Sequence, residues 1–513
     1  MFKRVSAVSR SRNFPWAAIV LAGSLVRILS YHFSTNTGGD AMARVLLTAM
    51  WLQHPSLQVI FGVYPPGHFW LIAAFTLLFR DVMVAGRALS LVLGIASLLL
   101  VGRLARLLYG DTAGLLSLVA FSFYTLHIAY STTSSSEVSY LFFLLLGMYF
   151  FFSSLSGGSP EVRLISLAGI AMSIAGSIRY EAWIFIFGMT GVLTFFLIRD
   201  TLKERQDFRK RLRSLLAFGV TGGLWPAFMM VYCWRRFGDP MYLVTLNHIR
   251  VTESLAAIPS PLSYQLGLTP AVLAISLSPF IFGAALYGLA CSFTSRLPAA
   301  FATLTVFFAA VQNFEILRHG LLALSRYTLT LGTLLAIMSG IGLQQAFRKI
   351  GVVRPGLMRV ATSGLLLANT VAVLALSELP DKYSETFASV SPVLRYPRRI
   401  QNVAGYLRAH LGPEDAVVVD NYNVESNIVA YAGGLPLLSG KRAYLANTKY
   451  DYNVRQYIAT VHPQFMVYSD RGTLRQSFAL PSSCDHDARL DGIGFHCVFS
   501  DDIYRIYELS YHR

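Results

Sequence analysis

The feature that most constrains this chain is a series of apolar segments, each close to the length of a membrane-spanning helix. A bilayer core takes roughly 20 apolar residues per helix, and such segments recur over residues 15–377 with short polar stretches between them. Of the 513 residues, 54% are hydrophobic and only 14% are charged, whereas typical soluble domains contain about 25% charged residues. The chain is therefore predicted to be a polytopic membrane protein.

Basic clusters between the apolar segments predict which ends face the cytoplasm. The net charge is +16, but the basic residues gather in short loops, most clearly over residues 203–213, as the positive-inside rule describes for cytoplasmic loops. We attribute this charge to orientation in the membrane, and nucleic-acid binding is not predicted. The first apolar stretch is too long for a signal peptide and no clear cleavage site follows it, so we expect a retained helix with a cytoplasmic N-terminus.

Taking the basic loops as cytoplasmic predicts about eleven crossings and an extracytoplasmic C-terminal part. The first outer loop is expected to hold an amphipathic helix over 41–53 and a re-entrant or interfacial helix over 65–79, which is too short to cross comfortably. Residues 1–377 are thus predicted to form an all-α transmembrane domain in the inner (plasma) membrane. Residues 378–513 are predicted to form a small extracytoplasmic α/β domain.

The C-terminal part is polar and aromatic, with short runs that are typical of strands. The expected elements are strands at 416–419, 465–468 and 504–509 and a helix at 424–432. Cys484 and Cys497 both lie in this part, where an extracytoplasmic compartment is oxidising, so a disulfide between them is predicted. Two buried thiols are the alternative.

Ionisable residues collect at the predicted outer ends of the apolar segments. A charge at the centre of a bilayer costs about 2.5–3.5 kcal/mol on insertion scales, and such residues usually serve a function. Five segments carry them: Asp40 and Arg44; Glu137; Arg179 and Glu181; Glu315, Arg318 and His319; and Arg326 beside Tyr327. Arginine binds phosphate bidentately, and a carboxylate can accept a proton from an attacking hydroxyl. The pattern predicts a pocket for an anionic lipid headgroup.

The same residues also have structural interpretations. Arg44 lies four residues after Asp40, which is the spacing of an ion pair on a helix, and Glu181 can neutralise Arg179 without any further role. Structural pairs have no reason to gather on one face, which favours the functional interpretation. The sequence contains no metal-ligand spacing of the His/Cys type, no glycine-rich phosphate loop and no strong nucleophile motif, so no cofactor is predicted.

Short motifs follow one another along these outer segments in a recognisable order. They are Gly38-Gly39-Asp40 with Arg44, Tyr64-Pro65-Pro66-Gly67-His68-Phe69-Trp70-Leu71, Ser136-Glu137, Arg179-Tyr180-Glu181-Ala182-Trp183, Gly238-Asp239-Pro240 and Ser325-Arg326-Tyr327. In this order they resemble the membrane glycosyltransferases of the GT-C fold. The closest likeness is to the bacterial family 39-like enzymes, which include protein O-mannosyltransferases and the lipid A aminoarabinose transferase. The resemblance extends from the first helix to about Phe347.

The resemblance implies a role for individual residues. An acidic residue of the first outer loop is the general base in that family, which falls on Asp40, and arginines of later turns bind the lipid phosphate, which falls on Arg179 and Arg326. The other residues implied at the site are Tyr327 beside the phosphate and Arg44, His68, Glu137, Glu181 and His319 in the substrate pocket. The family often has Asp-Glu in the first loop, but Ala41 follows Asp40 here. A second carboxylate is missing or comes from Glu137 or Glu181.

The activity implied is inverting transfer of a hexose or pentose from a polyprenyl-phosphate donor, without a covalent intermediate, on the non-cytoplasmic face. The implied partners are this donor lipid, a glycan, glycolipid or protein acceptor, and membrane lipids. Some members of the fold use a divalent metal, for which the sequence shows no ligand pattern. A transporter or a lipid-linked-sugar flippase is the alternative, although transporters commonly show internal repeats and midplane sites. An inactive membrane scaffold is the third hypothesis, because of the missing second acid.

Overall fold

In a computed structural model, the chain forms a bundle of helices followed by a small mixed sheet. The structure describes residues 2–35, 39–53, 55–56, 64–157, 160–203, 208–257, 261–318, 320–322, 324–352, 354–378, 389–395, 398–412, 415–420, 443–446, 454–469, 474–481, 484, 487–501 and 503–511. The helices of the bundle are α1 (Phe2–Phe33), α2 (Gly39–Gln53), α3 (Gly67–Phe79), α4 (Val82–Tyr109), α5 (Asp111–Ser122), α6 (Thr125–Tyr130), α7 (Ser136–Ser156), α8 (Val162–Ile178), α9 (Glu181–Lys203), α10 (Phe208–Phe237), α11 (Tyr242–Ala257), α12 (Leu262–Leu277), α13 (Pro279–Ser292), α14 (Arg296–Leu317), α15 (Thr328–Lys349) and α16 (Pro355–Ser377). A 3₁₀ turn, Ser325–Tyr327, precedes α15.

Eight of the described helices are long and apolar enough to cross a membrane, and a ninth crossing results if α12 and α13, bent by 110°, form one span. The shorter α8 also runs the depth of the bundle. Ser154 near the end of α7 hydrogen-bonds Glu161 just before α8, with Glu161 N donating to Ser154 Oγ over 2.7 Å. At the far end of α8, Arg179 reaches Glu137 at the start of α7. The two helices therefore span the same depth in opposite directions.

The stretch formed by α5 and α6 makes a further passage. It begins at Asp111, which pairs with Arg106 near the end of α4. It ends beside Thr132, whose carbonyl accepts a hydrogen bond of 2.8 Å from Arg87 in the first turns of α4. With α12 and α13 counted as one span, the described helices pass through the bundle eleven times, and at most nine of these passages are long and apolar enough to cross a membrane. The eleven membrane crossings stay a prediction.

A buried arginine stabilises the break between α5 and α6. Arg27 of α1 is fully buried and donates to the carbonyl oxygens of Phe121 and Ser122, at 3.2 and 3.1 Å. These carbonyls belong to the last turn of α5, where they have no intrahelical partner. Nη2, the nitrogen that donates to Phe121, also lies 2.8 Å from His127 Nδ1. The sequence analysis missed this pair, because it considered only charges at the ends of the apolar segments.

The core of the bundle is built around α15, which packs closely against α13. A Cβ atom on Gly288 or Gly342 would collide with the backbone of the facing helix, at Met338 or Ala284 respectively. Small residues of this kind allow membrane helices to approach closely. Because α15 is held deep in the core, the turn at its start has a rigid support.

The first outer loop contains the two helices expected there. The amphipathic helix predicted over 41–53 is α2, which buries Met42, Val45 and Ala49 on one face. The short helix predicted after Pro65 and Pro66 is α3, which packs along α4. Asp81 then caps α4 by accepting a hydrogen bond of 2.8 Å from Val84 N.

The C-terminal part is the small α/β unit that the sequence predicts. Its elements are α17 (Arg398–His410), β1 (Val417–Asp420), β2 (Ala443–Ala446), α18 (Val454–Val461), β3 (Phe465–Ser469), α19 (Leu474–Ser477), β4 (Ala488–Leu490), β5 (Ile493–Ser500) and β6 (Tyr504–Tyr511). The sheet order is β2-β1-β3-β6-β5-β4, with parallel pairing around β1 and antiparallel pairing elsewhere. The three predicted strands correspond to β1, β3 and β6, and the helix expected at 424–432 lies outside the described residues.

Cys484 and Cys497 form a disulfide, which is the pairing expected from their position in the sequence. Cys497 lies on β5, and the Cα atoms of the two residues are 5.2 Å apart. The other two cysteines, Cys233 and Cys291, are free. The bridge therefore joins β5 to the segment that precedes β4.

The sheet unit packs directly on the first outer loop. One cluster of buried apolar side chains includes Met42 and Val45 of α2 together with Ile400 and Val403 of α17. The backbone that leads into the unit is hydrogen-bonded to the end of α1, where Thr35 N donates to the carbonyl of Leu394 over 2.9 Å. The sheet unit and the first outer loop therefore lie at the same end of the bundle.

Candidate functional site

A cavity of about 460 Å³ lies at the end of the bundle that carries the sheet unit. Its walls come from segments that are far apart in the sequence: the first outer loop, the turn between α8 and α9, α11, the end of α14 and the turn before α15. The residues of the sequence prediction that line it are Arg44, Arg179, Glu181, Arg326 and Tyr327. The outer turns thus converge, as the sequence analysis expected.

Arg179 is the best-ordered charge of the site, because two carboxylates hold it. Its guanidinium donates to Glu137 Oε1 over 2.7 Å and to Glu181 Oε1 over 2.5 Å. The exposed fractions of these side chains are 11% for Arg179, 3% for Glu137 and 25% for Glu181. Burial alone would lower the pKa of Arg179, but the carboxylates of Glu181 and Glu137 outweigh it and raise this pKa well above its ordinary value. Arg179 is therefore permanently charged and engaged in a buried ion-pair network.

This network matches the structural interpretation of Arg179 more closely than a phosphate-binding one. The guanidinium uses its Nε, Nη1 and Nη2 groups on Glu137 and Glu181. Anchored in this way, it joins the start of α7 to the start of α9. The sequence analysis considered only the nearby Glu181 as a neutralising partner and placed Glu137 separately.

Arg326 and Tyr327 form the neighbouring part of the cavity wall. Arg326 Nη2 lies 3.2 Å from the Tyr327 hydroxyl, and the Tyr327 ring is 5.5 Å from Cζ of Arg179. The turn is tied to α14, because Gln312 Nε2 donates to the Tyr327 carbonyl over 2.9 Å. The guanidinium groups of Arg179 and Arg326 thus both lie near the Tyr327 ring.

Arg44 and His68 belong to the first outer loop, and Arg44 lines the cavity whereas His68 does not. Arg44 is buried, and its Cζ lies 4.4 Å from the centre of the Tyr64 ring. His68 is also buried, and its Nε2 lies 2.9 Å from the Ser134 carbonyl, to which it donates. Burial and the charge of Arg44 lower the pKa of His68 to about 3. The imidazole is therefore neutral near pH 7 and ties α3 to the turn before α7.

Two residues of the sequence prediction are not described at side-chain level. Asp40 is the second residue of α2, so its backbone lies at the N-terminus of that helix, but its side chain is outside the described part. His319 lies outside the described residues altogether. The possible ion pair between Asp40 and Arg44 is likewise not described.

The sequence analysis missed one wall of the cavity, which is α11. Four of its residues line the cavity: Val244, Asn247, His248 and Val251. Their spacing of three, four and seven residues is that of one helix face, so the sequence does carry the pattern of this helix. An exposed pair, Glu315 and Arg318, lies at the rim with 2.8 Å between the charged atoms.

The electrostatic balance of the cavity favours an anionic ligand. The described lining residues include four arginines and two glutamates, and the third glutamate that contacts them, Glu137, pairs with Arg179; these residues are Arg44, Arg179, Arg318 and Arg326 against Glu137, Glu181 and Glu315. Arginine is the side chain best suited to phosphate, because its planar fork matches two oxygen atoms.

Among the described side chains, no three His, Cys, Asp or Glu residues converge as a metal site, and the expected lack of a cofactor remains a prediction.

The fold and the cavity at its outer end define a class of protein. The chain has the GT-C-like fold of the solved membrane glycosyltransferases that it resembles. The family model described as dolichyl-phosphate-mannose-protein mannosyltransferase matches residues 63–226, about a third of the chain. That stretch includes His68, Glu137, Arg179 and Glu181.

Two solved structures illustrate the likeness in fold. ArnT from Cupriavidus metallidurans, bound to undecaprenyl phosphate, has a TM-score of 0.58 at 13% sequence identity, and the match covers 96% of this chain and 97% of ArnT. The apo oligosaccharyltransferase of Archaeoglobus fulgidus has a TM-score of 0.50 at 13% identity, with 89% of this chain and 69% of that chain covered. Among curated proteins, none matches this sequence significantly.

Proposed function

We propose that the protein transfers a sugar from a polyprenyl-phosphate donor to a glycan, glycolipid or protein acceptor, on the membrane face that carries the sheet unit. The observation that carries this proposal is the convergence of Arg44, Arg179 and Arg326 on one cavity. Counting Glu137 on Arg179, four arginines stand against three glutamates, a net positive charge that suits a lipid phosphate, and the fold is one in which ArnT binds undecaprenyl phosphate. The family match supports the same enzyme class.

In this proposal, the donor phosphate binds Arg326 and Arg44, and Arg179 serves mainly to hold the site together. The two binding arginines come from different walls, one from the turn before α15 and one from α2. The Tyr327 hydroxyl, 3.2 Å from Arg326 Nη2, is placed to donate to the same phosphate. When the bond between the sugar and the phosphate breaks, the phosphate gains negative charge, and fixed guanidinium groups stabilise that charge.

Asp40 is the proposed general base. It accepts the proton of the acceptor hydroxyl while the hydroxyl oxygen bonds to the anomeric carbon and the lipid phosphate leaves from the opposite side. This in-line displacement inverts the anomeric configuration. The N-terminus of α2 favours a negatively charged residue at this position, which supports an ionised Asp40. Glu181, at the cavity, is the second carboxylate of the site in place of the missing acid after Asp40.

The same proposal implies a topology: the protein lies in the plasma membrane, its N-terminus is cytoplasmic and its sheet unit is extracytoplasmic. A cysteine in place of the exposed Thr460 of α18 should react with a membrane-impermeant maleimide in intact cells. A cysteine in place of the exposed Arg209 of α10 should react only after permeabilisation. Both variants are made with Cys233 and Cys291 replaced by serine. Labelling of both positions from the same side would contradict the topology.

Replacing Arg326 with alanine is expected to weaken donor binding by about 10–100-fold, because a charge-assisted contact to phosphate contributes about 1.5–3 kcal/mol. The measurement is binding of undecaprenyl phosphate to the purified protein. The matched control is Arg318→Ala, which removes a half-exposed arginine at the rim of the same cavity. Unchanged lipid binding in Arg326→Ala, or an equal loss in the control, would rule out the specific phosphate contact.

The function itself is tested by mass spectrometry of glycolipids, glycans and glycoproteins in a strain that lacks the protein. A sugar missing from one product would identify the acceptor and support the transferase. Accumulation of an unmodified lipid-linked sugar on the cytoplasmic leaflet would instead support a flippase. An unchanged set of products, together with binding of a protein partner by the sheet unit, would support the scaffold hypothesis.

A further inference from the structure

A second cavity, with a volume of about 580 Å³, lies between α9 and α14. These two helices run antiparallel, and both reach the candidate site with their other ends, at Glu181 and Glu315. The groove begins near Phe187 and Phe307 and ends at Arg199 and Arg296. From residue 187 to residue 199 the helix rises by about 18 Å at 1.5 Å per residue, which is close to half of a bilayer core of about 30 Å. The groove therefore has the length of one leaflet.

Small residues create the space in the middle of the groove. Gly188 of α9 lies against Leu304 and Phe307 of α14, and Gly191, Ala299 and Ala300 also line the groove. A Cβ atom on Gly191 would meet no other atom within 4 Å, so the groove is open at that point. The walls are otherwise aromatic and aliphatic, and Phe187 and Phe195 are mostly exposed, as expected of a surface that faces lipid chains.

Two guanidinium groups meet at the end of the groove, one from each helix. Cζ of Arg296 lies 4.0 Å from the centre of the Phe196 ring, and Cζ of Arg199 lies 5.3 Å from the same centre. Stacking on one ring orients both forks at the mouth of the groove. A phosphate bridging them would form charge-assisted hydrogen bonds with each.

We propose that this groove binds an anionic phospholipid from the leaflet opposite the candidate site. One acyl chain lies between α9 and α14, and the headgroup phosphate lies against Arg199 and Arg296. The charge at one end, the apolar walls and the one-leaflet length match the chemistry of such a lipid. The site is separate from the sugar-transfer cavity and does not depend on the proposed function.

The test is native mass spectrometry of the purified protein with added phosphatidylglycerol or phosphatidylcholine of the same chain length. Wild-type protein should retain phosphatidylglycerol about tenfold better than phosphatidylcholine, because both headgroups carry a phosphate but the choline ammonium of phosphatidylcholine is repelled by the two guanidinium groups. Arg199→Gln/Arg296→Gln should abolish this preference. Gly191→Leu, which fills the groove without changing charge, should lower retention of both lipids.

Two matched controls separate the groove from general effects. Arg209→Gln/Arg213→Gln removes two exposed arginines from the nearby basic segment of α10, and Gly219→Leu adds the same side chain at an exposed glycine of α10 with no atom within 4 Å. Both controls should behave as wild type. Equal retention of the two phospholipids by wild type, an equal loss in the arginine control, or unchanged retention in Gly191→Leu would overturn the proposal. Displacement of phosphatidylglycerol by an equimolar amount of undecaprenyl phosphate would also overturn it, because the occupant would then be a polyprenyl lipid.

Discussion

Replacing Asp40 with asparagine is expected to lower the rate of sugar transfer by about 10²–10⁴-fold, which is the contribution typical of a general base. Asparagine keeps the shape of the side chain but cannot accept the proton. The loss should appear in kcat, whereas donor binding should remain close to that of wild type, since Arg44, Arg326 and Tyr327 are unchanged. The measurement is the rate at which the purified protein forms the product that is missing from the deletion strain.

The matched control for this variant is Asp81→Asn in the same outer segment. Asp81 caps α4, and asparagine caps a helix about as well as aspartate, so both folding and transfer should be retained. If Asp40→Asn keeps its activity within a few-fold of the control, Asp40 is not the base. Glu181→Gln would then be the next variant to measure, because Glu181 lines the cavity.

The second large effect is expected for Arg179→Met. This change leaves Glu137 and Glu181 without their shared cation, and Glu137 is only 3% exposed. Removing one partner of a buried ion pair typically lowers the free energy of unfolding by about 3–5 kcal/mol. The variant should therefore unfold at a clearly lower temperature than the wild type. The measurement is the fraction of monodisperse protein that remains after heating, and transfer activity is measured on the same samples.

A variant that removes all three charges separates the contribution of this network to stability from its contribution to transfer. Arg179→Met/Glu137→Gln/Glu181→Gln removes the whole network, and it should regain most of the lost stability without regaining transfer. Arg318→Met is the control for an exposed pair and should cost no more than about 1 kcal/mol. Recovery of transfer in the triple variant would show that the network acts only as a scaffold. Wild-type stability of Arg179→Met would show that the network does not stabilise the fold.

Several features of the site were predictable because they are local in the sequence. The charged turns could be placed at one end of the bundle, since each lies at the end of an apolar segment and the segments alternate in direction. The helices α2 and α3 followed from an apolar face in one case and from Pro65 and Pro66 in the other. The disulfide was predictable because only Cys484 and Cys497 lie in the C-terminal part.

Other features depend on distances between segments that are remote in the sequence. Glu137 lies 42 residues from Arg179, and no pattern indicates that they meet at 2.7 Å. The same is true of Arg27, which reaches the carbonyls of Phe121 and Ser122 at the break between α5 and α6. These contacts assign Arg179 to an ion-pair network, whereas a motif alone could only suggest phosphate binding.

The sequence by itself determined that the chain is a multi-pass membrane protein and ends in a small α/β unit. It could do so because hydrophobic length and strand patterning are properties of single segments measured against a bilayer or a sheet. Only the tertiary structure decided which charges pair, that α11 closes the cavity, that the sheet unit packs on α2 and that a groove separates α9 from α14. These outcomes depend on how helices pack against one another, and packing depends on the combined shapes of surfaces that no single segment contains.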